Sequence, residues 1–481
     1  MTSVKSSKQI VFTEGKLFPQ ILLFVLPIVA TNLLQTFYNA ADMMVVSLSD
    51  EVNAVGAIGM TGSYVSLIVN IFIGFSVGAN VVVAKHIGAK DDARVQRAVH
   101  TSLILALLFG VLGGGIGIAL ARPILKSMGA TGNLLELAVT YTYIYFSGIP
   151  FLALTNYLSA IFRAKGDSKT PLIVLAIAGL LNVAGNFFFV LVLRLSVEGV
   201  ALATALANVF AFIVLLIRLI KSKDATAFSF RKLKIDGKEM KRIVLVGFPA
   251  AIQGALFSVS NILIQSSIVT VNNNVCPPGL TYQPVVNGSA AAANLEAFTY
   301  TAMDAVYQGA VTFTSQNMGG KKPERVKPIQ YCCYALAGGI GLVLGLVILL
   351  LKTPLLSLYG IVPGEAGSVE AIAMGAATTR IWFFGTTYFI CGLMNVGTGV
   401  LRGLGKSGLS TLIALIGSCL LRVVWLWTVF PLYPTFETIL LCYPITWILT
   451  LLTFHIVIHV LLKGILKKKK LERDRDKKQE L

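Results

Sequence analysis

Several uninterrupted apolar runs of roughly 20 residues or more recur along this chain, and no other feature limits its fold so strongly. Such a run, coiled at ~1.5 Å per residue, spans the ~30 Å hydrocarbon core of a bilayer. Blocks between polar breaks predict twelve helices, at 17–47, 54–84, 96–121, 133–161, 170–194, 197–219, 243–271, 289–317, 328–351, 370–400, 408–430 and 435–462. The 481 residues are 56% apolar and only 13% charged, against about 45–50% and 25% in soluble domains. Too few charges remain to coat a water-facing surface, which excludes a soluble fold and predicts an all-α polytopic membrane protein. The opening polar segment carries Lys5, Lys8, Glu14 and Lys16. The apolar stretch after it is too long for a cleaved signal and reads as a retained first span.

Charge placement tests the count independently. With both termini and every second loop on the cytoplasmic side, 34 of the 40 Lys and Arg fall in cytoplasmic segments. The opposite loops keep only Arg122, Lys126, Arg194 and Lys352, while Arg380 and Arg422 lie inside spans. One missing or extra helix would invert every later loop and scramble this bias. The reading is a multi-pass protein of the cell (plasma or inner) membrane with both ends cytoplasmic. The net charge of +18 then follows from the positive-inside bias and a basic tail, Lys467 to Lys470 and Arg473 to Lys478, lying against membrane lipid. No nucleic-acid partner is called for.

The halves echo one another. Pro27 and Asn39 recur as Pro249 and Asn261. Ala84 to Lys90, followed by Arg94-Val95, recurs as Ser315 to Lys321 with Arg325-Val326. Asn156, Arg163, Gly166 and Ser168 recur as Asn395, Arg402, Gly405 and Ser407. The offsets of 222, 231 and 239 keep one order and drift by insertions, one of them the 272–288 loop with Pro277-Pro278-Gly279. Six spans per half is an even number, so both halves enter the membrane in the same orientation. That makes two six-helix lobes related by a parallel pseudo-two-fold, suited to alternating access around a central cavity. The domains expected are an N-terminal segment 1–16, an N-lobe 17–219, a basic interlobe linker 220–242, a C-lobe 243–462 and a tail 463–481.

These residues resemble the multidrug and toxic compound extrusion (MATE) family. The resemblance is carried in the first half by Pro27, Gln35, Tyr38-Asn39 and Asp42, Gly88-Ala89-Lys90-Asp91, Arg163 to Ser168 with Pro171, Leu181-Asn182, and Gly199 to Thr204. In the second half it is carried by Thr314 to Lys321, Leu401 to Ser407 and Arg422 to Trp425. The similarity runs from about residue 15 to 460. It implies a twelve-helix secondary antiporter that exports organic cations or other amphipathic drugs and metabolites in exchange for H+ or Na+, with no other cofactor. A flippase of the same superfamily, moving a lipid-linked saccharide, is the alternative. Such flippases often show a strongly cationic cavity, whereas the candidate charges here are mixed. No HExxH, nucleophile elbow or paired metal motif points to an enzyme. The expected partner is a small-molecule substrate, and a monomer is expected.

An ionisable group near mid-bilayer costs about 2.5–3.5 kcal/mol by insertion scales, so each one asks for a reason. Asp42, where the family places its essential acid, can trade a proton, Na+ or a cationic drug at a single site. The alternative is a hydrogen-bonded structural Asp near the helix end. Gln35, Tyr38 and Asn39 share or adjoin its face, and Asn156, Asn182, Asn186 and Thr204 are candidate partners from spans four to six. Cation coupling falls to Asp42, Asn182, Asn186 and Thr204. Family members commonly carry a second acid where this chain has Asn186, so the first pocket holds one carboxylate. For each amide an ordinary interhelical hydrogen bond is an equally good account.

On span eight, Glu296, Tyr300, Asp304 and Gln308 repeat every four residues and line one face over about 18 Å. That stripe must face a cavity, Arg422 or Arg380; it is either part of the substrate site with Arg422 or a structural ion pair with it. Some relatives place a Glu eight residues after the seventh-span proline, but Phe257 stands there. Three lesser features carry no chemistry. His455 and His459 are spaced four apart with no third metal ligand nearby. Gly113-Gly114-Gly115 with Gly117 reads as close helix packing. Gly88, Gly319 and the Arg163 and Arg402 loops read as short turns closing helix pairs. The six cysteines fit neither a disulfide framework nor a zinc spacing.

Overall fold

A computed structural model describes residues 12–49, 51, 53–276 and 283–479. Met1 to Val11 of the N-terminal segment, the Pro277-Pro278-Gly279 insertion and the last two tail residues lie outside the described residues. The helices are α1 (Leu17–Val46), α2 (Ala54–Gly88), α3 (Asp92–Ser127), α4 (Gly132–Ser147), α5 (Ile149–Ala164), α6 (Lys169–Phe187), α7 (Val197–Ile220), α8 (Gly237–Val275) and α9 (Pro284–Gly319). They continue as α10 (Val326–Leu350), a short α11 (Lys352–Ser357), α12 (Val369–Gly403), α13 (Ser407–Ala414), α14 (Leu421–Thr428) and α15 (Phe436–Gln479).

Each of the twelve expected spans finds its helix, with three local departures. The fourth is two helices, α4 and α5, bent by 46°. Gly148 and Pro150 sit at that bend, and proline can neither donate to the preceding turn nor clear its carbonyl. The fifth and eleventh spans pass through wider π turns at Phe188–Val192 and Leu415–Leu420. Among the described residues ten helices are long and apolar enough to cross a membrane, or eleven counting the bent pair as one. The remaining expected span is α9, 36 residues long. It is more polar than the others because Asn287, Asn294, Glu296, Asp304 and Gln308 interrupt it.

The chain forms two compact units, one of residues up to Gly254 together with Ser315–Lys321, the other of Ala255–Thr314 and the residues from Lys322 onward. In the first unit, α2, α3, α5 and α7 bury a core that includes Val83, Val99, Tyr157, Ile161 and Leu215. The repeated Ala84–Lys90 and Ser315–Lys321 turns meet here. A Cβ on Gly88 would lie 1.9 Å from the Gln316 carbonyl oxygen, and one on Gly319 would lie 1.9 Å from the Lys85 carbonyl oxygen. The glycines thus permit a backbone crossing beyond their expected role as turns. The following lysines, Lys90 and Lys321, both take left-handed backbone conformations, φ 55° and 56°. Two segments that share the glycine and the lysine close with the same backbone turn. Gly113, Gly114 and Gly117 lie close against Phe72 and Phe146, as their packing role requires.

The basic 220–242 segment, expected to connect the lobes, is built into the first unit. Phe228 is buried in its core and stacks on His100 at 5.0 Å, and the Ser229 N–H donates to His100 Nε2 at 3.1 Å. Lys165 grips Asp224 at 3.3 Å. The Asp236 carboxylate accepts the Lys238 and Glu239 N–H groups, capping α8. Buried Glu239 bridges His86 Nε2 at 2.8 Å and Arg242 Nη1 at 2.6 Å. In the second unit, α10 and α12 pack along their length, α15 lies on α12, and a core of Leu295, Leu356, Ala377 and Ile381 forms at one end.

Candidate functional site

In the first unit, α1, α6 and α7 place polar side chains together. Pro27 interrupts α1, and Thr31 Oγ1 donates back to the Pro27 carbonyl at 2.8 Å. Four turns further on, half-buried Asp42 accepts a 2.5 Å hydrogen bond from Asn186 Nδ2 of α6. One turn earlier on α6, Asn182 Nδ2 donates to Thr204 Oγ1 of α7 at 3.1 Å, and Thr204 Oγ1 donates to the Val200 carbonyl. All four residues expected to couple cations therefore lie together, joined by hydrogen bonds across α1, α6 and α7. Asn186 is fully buried, and among the described residues its Oδ1 has no hydrogen-bond partner. A buried amide oxygen without a donor, beside a carboxylate, is an oxygen-lined position suited to a small hard cation.

The substrate candidates of this unit divide. Tyr38 packs on α6, its hydroxyl donating to the Ala176 carbonyl at 3.0 Å. Gln35 and Asn39 are exposed on α1, and Asn156 is half-buried on α5; none of the three takes part in the hydrogen bonds around Asp42. Sequence reasoning missed Tyr141 and Tyr145 of α4, which lie within electrostatic reach of Asp42 and stack on each other at 5.9 Å. Their spacing of four residues on one helix face was the available signal.

In the second unit the α9 stripe splits by chemistry. Glu296, buried, is held by Arg380 of α12 through two parallel bonds of 2.9 Å, while Arg380 Nη1 donates to Ser289 Oγ at 2.8 Å. The expected partner Arg422 is elsewhere. Its guanidinium lies 4.5 Å over the Tyr443 ring, and its Nε reaches Thr446 Oγ1 at 3.5 Å. Arg380 prevails because α12 packs beside that turn of α9 and offers the flat two-donor edge a carboxylate prefers. Asp304 accepts from Gln308 Nε2 at 2.8 Å. Tyr300 stacks at 6.4 Å on Tyr388, which stacks at 5.4 Å on Trp447. Phe384 and Tyr443 complete this aromatic cluster, which sequence reasoning also missed. The pairs Phe384/Tyr388 and Tyr443/Trp447 again stand four residues apart. Among the described residues no group of three or more His, Cys, Asp or Glu could hold a metal ion. His455 packs on Tyr334 and Tyr331, and His459 is exposed.

The MatE family model matches residues 27–188 and again 283–428, one stretch in each half. The chain belongs to the MatE family. This MATE transporter is 29% identical over 372 residues to the probable multidrug resistance protein YoeA of Bacillus subtilis, covering 74% of this chain and 77% of YoeA. It is 22% identical to the multidrug export protein MepA of Staphylococcus aureus, covering 56% of this chain and 60% of MepA. Its fold matches a solved structure described as the outward-facing conformation of a multidrug resistance MATE family transporter of the MOP superfamily. That match has a TM-score of 0.85 at 20% identity and covers 96% of this chain and all of the other. The twelve-helix MATE fold is thereby established, and the matched segments contain Asp42, Asn182, Asn186, Glu296, Arg380 and Arg422.

Proposed function

We propose that this MATE transporter is a cation-coupled antiporter that exports organic cations or other amphipathic compounds by alternating access, with Asp42 as the residue that changes occupants. The contact between Asp42 and Asn186 carries this reading. The carboxylate is partnered by a neutral amide, so its charge is left for a mobile cation to satisfy. When H+ or Na+ occupies the carboxylate, a cationic cargo loses its attraction there and departs; when the coupling cation leaves, the cargo can bind again. Linkage makes this reciprocal: each occupant weakens the other by the same free energy. Each coupling charge returning down the membrane potential supplies about 2.3 kcal/mol per 100 mV. Asn186 Oδ1 and the Asp42 carboxylate would ligate Na+, and a proton needs only the carboxylate.

The names of YoeA and MepA support drug export as the direction of transport. The distribution of Lys and Arg supports placing both ends in the cytoplasm. Around Asp42 there is an acid with amides, hydroxyls and tyrosines, which suits a cationic cargo better than the phosphate of a lipid-linked saccharide. The test is efflux from proteoliposomes under separately imposed Na+ and H+ gradients. Export should follow one gradient and vanish in Asp42→Asn with the protein still folded. Gradient-driven export that survives in Asp42→Asn would remove Asp42 from the mechanism.

A further inference from the structure

At the end of the first unit where α3 and α8 begin, a cleft of about 570 Å³ is lined by Arg94, Arg97, Ile235, Lys238, Glu239 and Arg242, with Asp236 and Gly237 completing it. Four cations and two carboxylates line it, and Asp91 beside Arg94 brings the net charge of these groups to +1. Arg94 touches Asp91 through Nε at 3.1 Å, Arg97 touches Asp236 through Nε at 3.6 Å, and Arg242 touches Glu239 through Nη1 at 2.6 Å. A guanidinium carries five donors, so contacts of this kind leave N–H groups for a further anion. The Asp236 carboxylate is held below the usual range by the Glu239 and Lys238 backbone N–H groups and by Arg97. It caps α8 itself, so the anion would be bound by side chains and not by the helix end.

Two further observations describe what surrounds this cleft. Buried apolar chain starts immediately behind its cations: Ala98 and Val99 follow Arg97, and Ile243 follows Arg242. The buried chain directly behind them packs on the 220–242 segment, His100 stacking on Phe228 and Thr101 Oγ1 accepting the Asp236 N–H. The segment entering the cleft is anchored by buried Phe228, yet it exposes Phe230 by 66%, Leu233 by 46% and Ile235 by 45%. These alternate with exposed Arg231, Lys232 and Lys234. Apolar and basic side chains interleaved on one exposed strip match a bilayer interface, where rings and branched chains enter the acyl boundary while cations stay among headgroups.

We propose that this cleft binds the phosphate headgroup of an anionic phospholipid, with Arg94, Arg97, Lys238 and Arg242 holding the phosphate and Phe230, Leu233 and Ile235 lying along its acyl chain. The lipid would pin the 229–242 segment across the starts of α3 and α8. Its leaflet, cytoplasmic, rests on the orientation proposed above; the binding chemistry does not.

Native mass spectrometry of the purified full chain in detergent, titrated with phosphatidylglycerol or phosphatidylcholine, tests this without relying on transport. Wild type should prefer the anionic lipid by about tenfold or more, given roughly 1 kcal/mol per cation near a headgroup. In Arg94→Gln/Arg97→Gln/Lys238→Gln the preference should fall below about twofold. It should persist in Lys90→Gln/Lys221→Gln/Lys223→Gln, which removes the same charge from exposed positions outside the cleft. Phe230→Ser/Leu233→Ser should weaken binding of phosphatidylglycerol while inorganic phosphate fails to displace it. Equal loss in both charge triples would assign the effect to diffuse surface charge, and displacement by inorganic phosphate would assign the cleft to a soluble anion. Either result overturns the proposal, as does an unchanged preference in the cleft variant.

Discussion

Two carboxylates of the membrane spans keep different company. Asp42 on α1 is held by the neutral amide of Asn186 at 2.5 Å, whereas Glu296 on α9 is held by one two-donor edge of the Arg380 guanidinium. An acid held by neutral amides still has a charge to be met and, on the proposed function, exchanges what meets it. An acid locked to a buried arginine has its charge answered permanently, and separating the pair leaves two bare charges in a low-dielectric interior. On the function proposed above, the comparison assigns exchange to Asp42 and rigidity to the pair of Glu296 and Arg380.

The largest expected effect is on transport. Asp42→Asn should reduce gradient-driven export to the level of empty vesicles, with unfolding temperature in detergent close to wild type. Glu296→Gln should do the reverse. By stranding Arg380 it should cost about 3–5 kcal/mol of stability, seen as a large drop in unfolding temperature, and Glu296→Met/Arg380→Met should recover most of it. A Glu296→Gln protein that unfolds like wild type but no longer exports would invert the assignment of the two acids. Asn186→Ala sharpens the first half of the comparison. It removes a hydrogen bond to a charged group worth about 1.5–3 kcal/mol together with the amide oxygen proposed for Na+. The cation concentration for half-maximal export should therefore move about 10- to 100-fold, upward for Na+, which loses a ligand, and downward for H+, which no longer competes with the amide N–H for the carboxylate. Tyr300→Leu probes the surroundings of Glu296 more gently, through one stacked pair worth about 0.5–1.5 kcal/mol, and should shift stability alone.

The smallest effect comes from a carboxylate outside the spans. Burial alone would raise Asp224, but hydrogen bonds from Thr226 and the Lys165 ammonium outweigh it and hold the group below its ordinary value of 3.8. A depressed carboxylate stabilises the fold above that ordinary value and loses the contribution only as pH falls through the depressed one. The latch between Asp224 and Lys165 should therefore leave stability flat from about pH 5 to 8. Asp224→Asn should lower stability slightly and uniformly across that window when unfolding is followed at several pH values. A slope in that window which disappears in Asp224→Asn would contradict this reading.

Much of the architecture was legible in advance because each span is a local statement. A run of apolar residues must be helical in lipid wherever it packs, and a repeated motif such as Ala84–Lys90 and Ser315–Lys321 takes the same backbone twice. The break at Gly148-Ile149-Pro150 was equally local but was passed over, because hydrophobicity runs through it. The meeting of Asp42, Asn182, Asn186 and Thr204 was anticipated from polar residues on separate helices with no other reason to be there. The aromatic pairs went unread, since aromatic residues in a membrane helix look like ordinary apolar content until the facing helix is known. Glu296 was given two possible arginines, and nothing along the chain could choose between them.

What the sequence determined by itself was the set of spans, the doubled plan, and which side chains were too costly to leave in lipid. These follow from desolvation, which acts on each residue regardless of its neighbours. The tertiary structure decided that Arg380 and not Arg422 answers Glu296, that Asn186 answers Asp42, and that the basic 220–242 segment folds onto the first unit. Such pairings depend on which helix faces which, and that is set by the close packing of many side chains at once, a sum that no single stretch of sequence contains.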